Sequence, residues 1–247
     1  RLPPGLGVKE TLVWEEALLR HDPSRSNWLV QTVGPAHPVI VLGLSGKPRD
    51  LVNLRRWKSY DGHLEVVKRF TGGGTVVLGP DTMLASWVMR GWPAGTNPTL
   101  AADLPRADPR AIMSWSEEVY RPMIADCFGP SQAAVFSARE NDYVLGDVKF
   151  GGNAQAITRG DWVHHTSFLW DWRPEHMALL SQPRKQPDYR KQRSHESFLT
   201  PLREHAEARA AQVALMRRRA ATGAGRSKTG SGRPWSRRRR RSTTSST

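Results

Sequence analysis

The spacing of apolar residues changes several times along the chain, and each change predicts an element. From Lys9 to Arg20, Leu12, Val13, Ala17, Leu18 and Leu19 mark one face of a helix, with Glu10, Glu15 and Glu16 on the other and "HDPS" as its stop. A strand is expected at 28–32, a buried strand in "VIVLGL" at 39–44, a short helix in "RDLVNLRRW" at 49–57, and strands at 65–70, 75–78 and 83–89. "DPRAIMSWSEEVYRPMIADCFG" has an acidic start, helical apolar spacing and a closing Gly129, which predicts a helix at 108–127. A hairpin follows in "NDYVLGDVKFGGNAQAIT", turning at Gly146-Asp147, then a strand in "DWVHHTSFLWDW". Arg203 to Arg219 is helical by propensity. Helices alternating with antiparallel pairs favour an α+β sandwich over a doubly wound parallel sheet.

The 247 residues are 38% hydrophobic, enough for one sizeable core. One main domain is expected at 1–203, a helix at 204–220 and a disordered basic tail at 221–247, where Gly, Ser, Thr and Arg dominate. The net charge of +14 points first to nucleic acid or a membrane surface, but residues 217–247 carry eleven of those charges, leaving +3 for the rest. "RPWSRRRRRS" could contact phosphates and stack Trp235 on a base, so a nucleic-acid protein is the reading from a different class. The same run also fits an import address or a solvated tail, and a nucleic-acid partner is the disfavoured reading. The single cysteine, Cys127, excludes a disulfide framework and a cysteine zinc cluster; inside the predicted long helix it reads as a core thiol. No apolar run approaches the ~18 residues a membrane span needs. A cytoplasmic or organellar location, in mitochondrion or plastid, is expected rather than secretion.

Two stretches carry chemistry. "VKRFTGGGTVVLG" sets three glycines between strand formers, directly after Lys68 and Arg69. Locally this is either a flexible turn or an anion-binding bend whose amides no Cβ shields, with Arg69 as a planar donor fork. It is neither a Walker A loop nor a dinucleotide fingerprint. In the second stretch, a loop at Gly146-Asp147 sets Val144 opposite Lys149 and Asp142 opposite Gly151. Asp142 and Lys149 then share a face as diagonal neighbours, about 7 Å apart. Such a pair is either a solvated surface pair or part of a site; Gly151, Gly152, Asn153 and Ala154 leave room over the lysine. "HESFL" is not a zinc motif, and His164 and His165 face opposite sides of a strand, so they cannot chelate one metal.

Taken together, "KRFTGGGTV", "ND" at 141 with "KFGGNAQ" at 149, "HHTSFLWD" at 164–171 and "QPDYRKQRSHESFL" at 186–199 resemble the lipoate-protein ligase A family, within the biotin/lipoate A/B protein ligase catalytic domains. The resemblance implies the sandwich of class II aminoacyl-tRNA synthetases and biotin-protein ligases. It implies activation of lipoate or octanoate with ATP and Mg2+ to an acyl-adenylate, then acylation of a lysine on a lipoyl-carrier domain of the glycine-cleavage H protein or 2-oxoacid dehydrogenase E2 type, with a separate accessory domain as a further partner. Arg69, Thr71, Gly72, Gly73, Gly74, Thr75, Val76 and Val77 would hold the nucleotide and acyl-adenylate together with Lys149, the expected catalytic cation. Asp142 would orient that lysine or bind magnesium, and Gly152, Ala154 and His165 would line the acyl pocket. Where the family continues with a His-Asp pair, this chain has "LGPDTML", with Asp81 as a substitute carboxylate. That departure keeps an ATP-independent lipoyl or octanoyl amidotransferase open; covalent transfer through Cys127 is disfavoured.

Overall fold

The computed structural model describes residues 6–91, 104–181 and 186–224. The chain divides into two units, Arg1–Arg209 and Ala210–Thr247. In the first, a six-stranded antiparallel sheet has the order β1-β5-β9-β8-β7-β6, formed by β1 (Trp28–Val33), β5 (Thr82–Met89), β6 (Phe136–Arg139), β7 (Asp142–Leu145), β8 (Val148–Thr158) and β9 (Asp161–Leu169). A smaller sheet has the order β3-β2-β4, from β2 (Val39–Leu42), β3 (Glu65–Lys68) and β4 (Val76–Leu78). β2 runs parallel to β3 and antiparallel to β4, and all four of its residues are buried.

One face of the large sheet packs on α4 (Pro109–Phe128) and α5 (Pro130–Val135) through Met113, Tyr120, Phe136, Tyr143 and Phe150. Asp108 caps α4 by accepting from the amides of Arg110 and Ala111, as its acidic start suggests. The opposite face receives α1 (Val8–His21) through Leu19, Val88 and Val163, and the small sheet through Ile40, Leu42, Val77 and Val144. This α+β sandwich is the predicted class.

Several local expectations are corrected. The stripe of α1 that is buried is Val8, Thr11, Glu15 and Leu19, whereas Val13 is exposed; Glu15, assigned to the solvent face, points inward. The helix expected at 49–57 is two, α2 (Pro48–Leu51) and α3 (Leu54–Lys58), because buried Val52 bridges to Leu180 and Asn53 caps the second turn. Strand β6 and helix α5 have no counterpart in the sequence reading. Cys127 lies on α4 as expected, but it is exposed rather than a core thiol. After α6 (Pro174–Met177), a 3-10 turn (Asp188–Arg190) and α7 (His195–Phe198), helix α8 runs from Leu202 to Ala224, four residues beyond its expected end. The arginine run at 237–241 lies outside the described residues. Among the described residues no helix is long and apolar enough to cross a membrane.

Candidate functional site

The triglycine turn joins two strands that do not pair with each other. β3 and β4 flank β2 on either side, so residues 69–75 must cross over the end of β2. The crossing is tight. A Cβ on Gly43 would lie 2.1 Å from the Gly73 carbonyl oxygen, and Gly73 itself has φ +97°, where a side chain is strained.

Arg69 holds this turn. Its side chain is 5% exposed, and Nη2 donates to the carbonyls of Gly72 (3.0 Å) and Gly74 (2.7 Å), with longer donations from Nε to Gly72 and from Nη1 to Val41. Burial pulls its pKa down to about 10, which leaves it charged at neutral pH. The guanidinium therefore serves the turn's carbonyls and is not turned outward as a fork for a ligand, a correction to the sequence expectation. A trans peptide sets C=O and N–H antiparallel, so drawing in the carbonyls of Gly72 and Gly74 turns the amides of Gly73 and Thr75 away from Arg69. Thr71 is fully buried, and its hydroxyl and that of Thr75 are buried without hydrogen-bond partners. Val76 and Val77 stand in β4 with their side chains in the core, so only their backbone could serve a ligand.

The hairpin places the lysine. Val144 pairs with Lys149 as expected, but a bulge moves Asp142 opposite Gly152 rather than Gly151. The cause is Phe150, fully buried among Tyr143, Phe136 and Phe168 on the α4 side; seating that ring adds a residue to β8. Lys149 and Gly152, three apart, thereby come to share the other face with Asp142. Lys149 Nζ lies 2.7 Å from Asp142 Oδ1, and the second oxygen of that buried carboxylate accepts from Tyr189 Oη at 2.7 Å. Beside Asp142, and through burial above all, the Tyr189 hydroxyl is held far above its ordinary pKa, so it stays a donor. A Cβ on Gly152 would meet Lys149 Nζ at 3.2 Å, so the glycine gives the ammonium its place against the strand.

Turn and lysine meet on this face. A Cβ on Gly73 would touch the Ala154 Cβ at 3.4 Å, and Gly72 N donates to Gln155 O (3.0 Å). Gly152 and Ala154 alternate on one face of β8, which sets the turn about 7 Å along the strand from the lysine's seat. His165, paired with Ala154, completes the group: Phe70 stands edge-on to its ring, and its Nε2 lies 2.8 Å from Glu15, off the hydrogen-bond direction.

Asp142 does not fit a magnesium ion, since an ammonium and a phenol occupy its two oxygens. Among the described residues no cluster of three or more His, Cys, Asp or Glu could hold a metal. Asp81 lies apart from Lys149's partners: it faces Arg173 at 3.6 Å in the β4–β5 turn, whose backbone Gly79 and Thr82 close. Sequence reading missed Glu15 and Tyr189. Both reach the site from elements remote in sequence, and only the 186–199 resemblance hinted at the second.

Residues 8–222 match the family model of the lipoyl protein ligase A/B catalytic domain. A curated relative from Plasmodium falciparum, named inactive lipoate–protein ligase 2, is 28% identical over 191 residues, covering 66% of this chain and 47% of the relative. The chain thus spans about half the length of that protein. Among solved structures, P. falciparum LipL1 in complex with lipoate is similar at TM-score 0.56 and 17% identity over 80% of this chain and 53% of its own. A lipoate-protein ligase A bound with ATP gives TM-score 0.53 and 17% identity over 78% and 70%. The Thermoplasma acidophilum bipartite lipoate protein ligase, described with its E2 lipoyl domain, gives TM-score 0.53 and 19% identity over 78% and 69%. These likenesses show the fold, and the extent of the family match settles the membership: the chain belongs to the lipoyl protein ligase A/B catalytic domain family.

Proposed function

We propose that the chain activates lipoate or octanoate with ATP and transfers the acyl group to a lysine of a lipoyl domain. In the first step a carboxylate oxygen of the acid attacks the α-phosphorus of ATP and the bond to the β-phosphate breaks, releasing pyrophosphate. In the second, the acceptor amine attacks the acyl carbon, AMP leaves, and the amine loses its proton. Lys149 would offset the charge gathering between carboxylate and α-phosphate, and the amides of Gly73 and Thr75 would donate to the same anion. Asp142 would orient the ammonium. Ala154, His165, Phe70 and Glu15 would border the acyl chain, and no step is assigned to a metal ion. The lipoate and ATP of the two ligand-bound relatives and the lipoyl domain of the T. acidophilum system support this choice of substrates and acceptor.

The observation that carries the reading is the 2.7 Å Lys149–Asp142 contact on the sheet face that also seats the triglycine turn. Lipoate-dependent exchange of pyrophosphate into ATP tests it. Wild type exchanges, and Lys149→Ala loses about 10²–10³-fold in rate; retained exchange in the mutant removes the assignment. A second reading, ATP-independent transfer of lipoyl between carrier domains, is favoured by Asp81 facing Arg173 and by the inactive label of the P. falciparum relative. It predicts no exchange, with acyl transfer from a lipoylated to an unmodified carrier domain in the absence of ATP.

A further inference from the structure

The segment 188–200 grips the site at both ends. Tyr189 donates to Asp142, Leu199 bridges to the Lys149 backbone, and the Thr200 amide donates to the Lys149 carbonyl at 2.9 Å. Between these anchors lies Arg190, 6% exposed, its guanidinium 4.9 Å from the centre of the Phe198 ring. Nε donates to the Arg193 carbonyl, whereas Nη2 is buried with no hydrogen-bond partner. An unbonded buried guanidinium nitrogen is costly, and such groups in native proteins call for an explanation. The charges acting on it supply one: burial lowers the Arg190 pKa, and Asp142 is the foremost influence raising it. His195 feels Arg190 and Lys149 alike as repelling charges.

Two cations thus attend one buried carboxylate, and only Lys149 is bonded to it. To serve an anionic substrate, Lys149 has to release Asp142 at least in part, which would leave a buried carboxylate held by Tyr189 alone. We propose that Arg190 is a positioning residue: as Lys149 Nζ turns to its ligand, Arg190 Nη2 takes its place on Asp142 Oδ1. The exchange keeps one positive charge on the carboxylate throughout and lowers the cost of freeing the lysine. Its ligand rests on the acyl-activation reading, but its geometry does not.

The direct test is a crystal structure of the full chain carrying Lys149→Met, which removes the ammonium and keeps the stem. Arg190 Nη2 is expected about 3 Å from an Asp142 oxygen. Arg190 unmoved over Phe198, with Asp142 bonded to Tyr189 alone, overturns the proposal. This outcome can be read whether or not wild type exchanges pyrophosphate, so failure of the functional reading and failure of this inference are distinguishable. In kinetics, Arg190→Gln is expected to lower kcat of exchange about tenfold with KM within about twofold, Arg190→Lys to recover part of the loss, and Arg190→Gln to add nothing in an Asp142→Asn background. An Arg190→Gln effect of equal size with and without the Asp142 carboxylate overturns it, as does Arg190→Gln behaving as wild type. Should Lys149→Met not fold, these kinetic arms decide.

Discussion

His164 and His165 are neighbours in β9 and lie on opposite faces of one sheet. His164, fully buried, takes part in a closed relay: the Gln155 amide donates to Nδ1, Nε2 meets the Tyr143 hydroxyl, that hydroxyl donates to Ser116, and Ser116 to the Met113 carbonyl. Each polar atom is answered from within the chain, so this face is structure. Across the sheet, the hydroxyls of Thr71 and Thr75 and His165 Nε2 are buried without hydrogen-bond partners, next to a paired ammonium and a turn of glycines. Burial is comparable on the two sides. What separates core from site is whether the buried polar groups are satisfied.

Removing Arg69 is the largest break of this contrast. It is the one strongly polar residue of the turn that is satisfied, and Arg69→Met leaves the carbonyls of Gly72 and Gly74 without their donor; about 3 kcal/mol of stability should be lost in chemical denaturation. The turn would lose its shape even where the sheet survives.

The inert face is tested by pH. Burial, with the neighbouring His165 as a smaller cause, lowers His164 to about 3 from an ordinary 6.5. The unfolded chain therefore takes up a proton below pH 6.5 that the folded chain refuses down to pH 3, so stability falls as pH drops through that window and is unaffected above it. Between pH 7.5 and 4.5 this one group should cost about 2 kcal/mol. Urea denaturation of wild type and His164→Gln at the two pH values should show the difference shrinking in the mutant. An equal loss in both would place the histidine outside the closed relay.

Gly73→Ala sharpens the other side. At φ +97° and 2.9 Å from Arg69 Nη2, a new Cβ strains the turn, costing about 1–2 kcal/mol in stability. Pyrophosphate exchange should fall further than that loss explains, because the displaced amide serves the ligand.

The contrast also marks what the sequence could disclose. The turn at Gly146-Asp147, helix α4 and the opposite facing of the two histidines are local consequences of period and turn chemistry, and the reading found them. The bulge at Phe150 escaped it, since only the aromatic core across the sheet decides where that ring sits. Arg69 was recognised as a cation beside glycines, but its inward orientation follows from β3 and β4 flanking β2, a long-range pairing that no window of sequence contains. Glu15 was placed on the wrong side of α1 because apolar counting cannot anticipate a buried carboxylate beside a histidine.

The central claim is that the ammonium of Lys149 and the turned amides of Gly73 and Thr75 serve one ligand. Titrating 15N-labelled protein with a nonhydrolysable lipoyl-adenylate analogue tests it most directly. Signals of Lys149 Nζ and of the Gly73 and Thr75 amides should move together along a single binding curve. A saturable shift at the lysine with the two amides unmoved, or the reverse, would contradict the account.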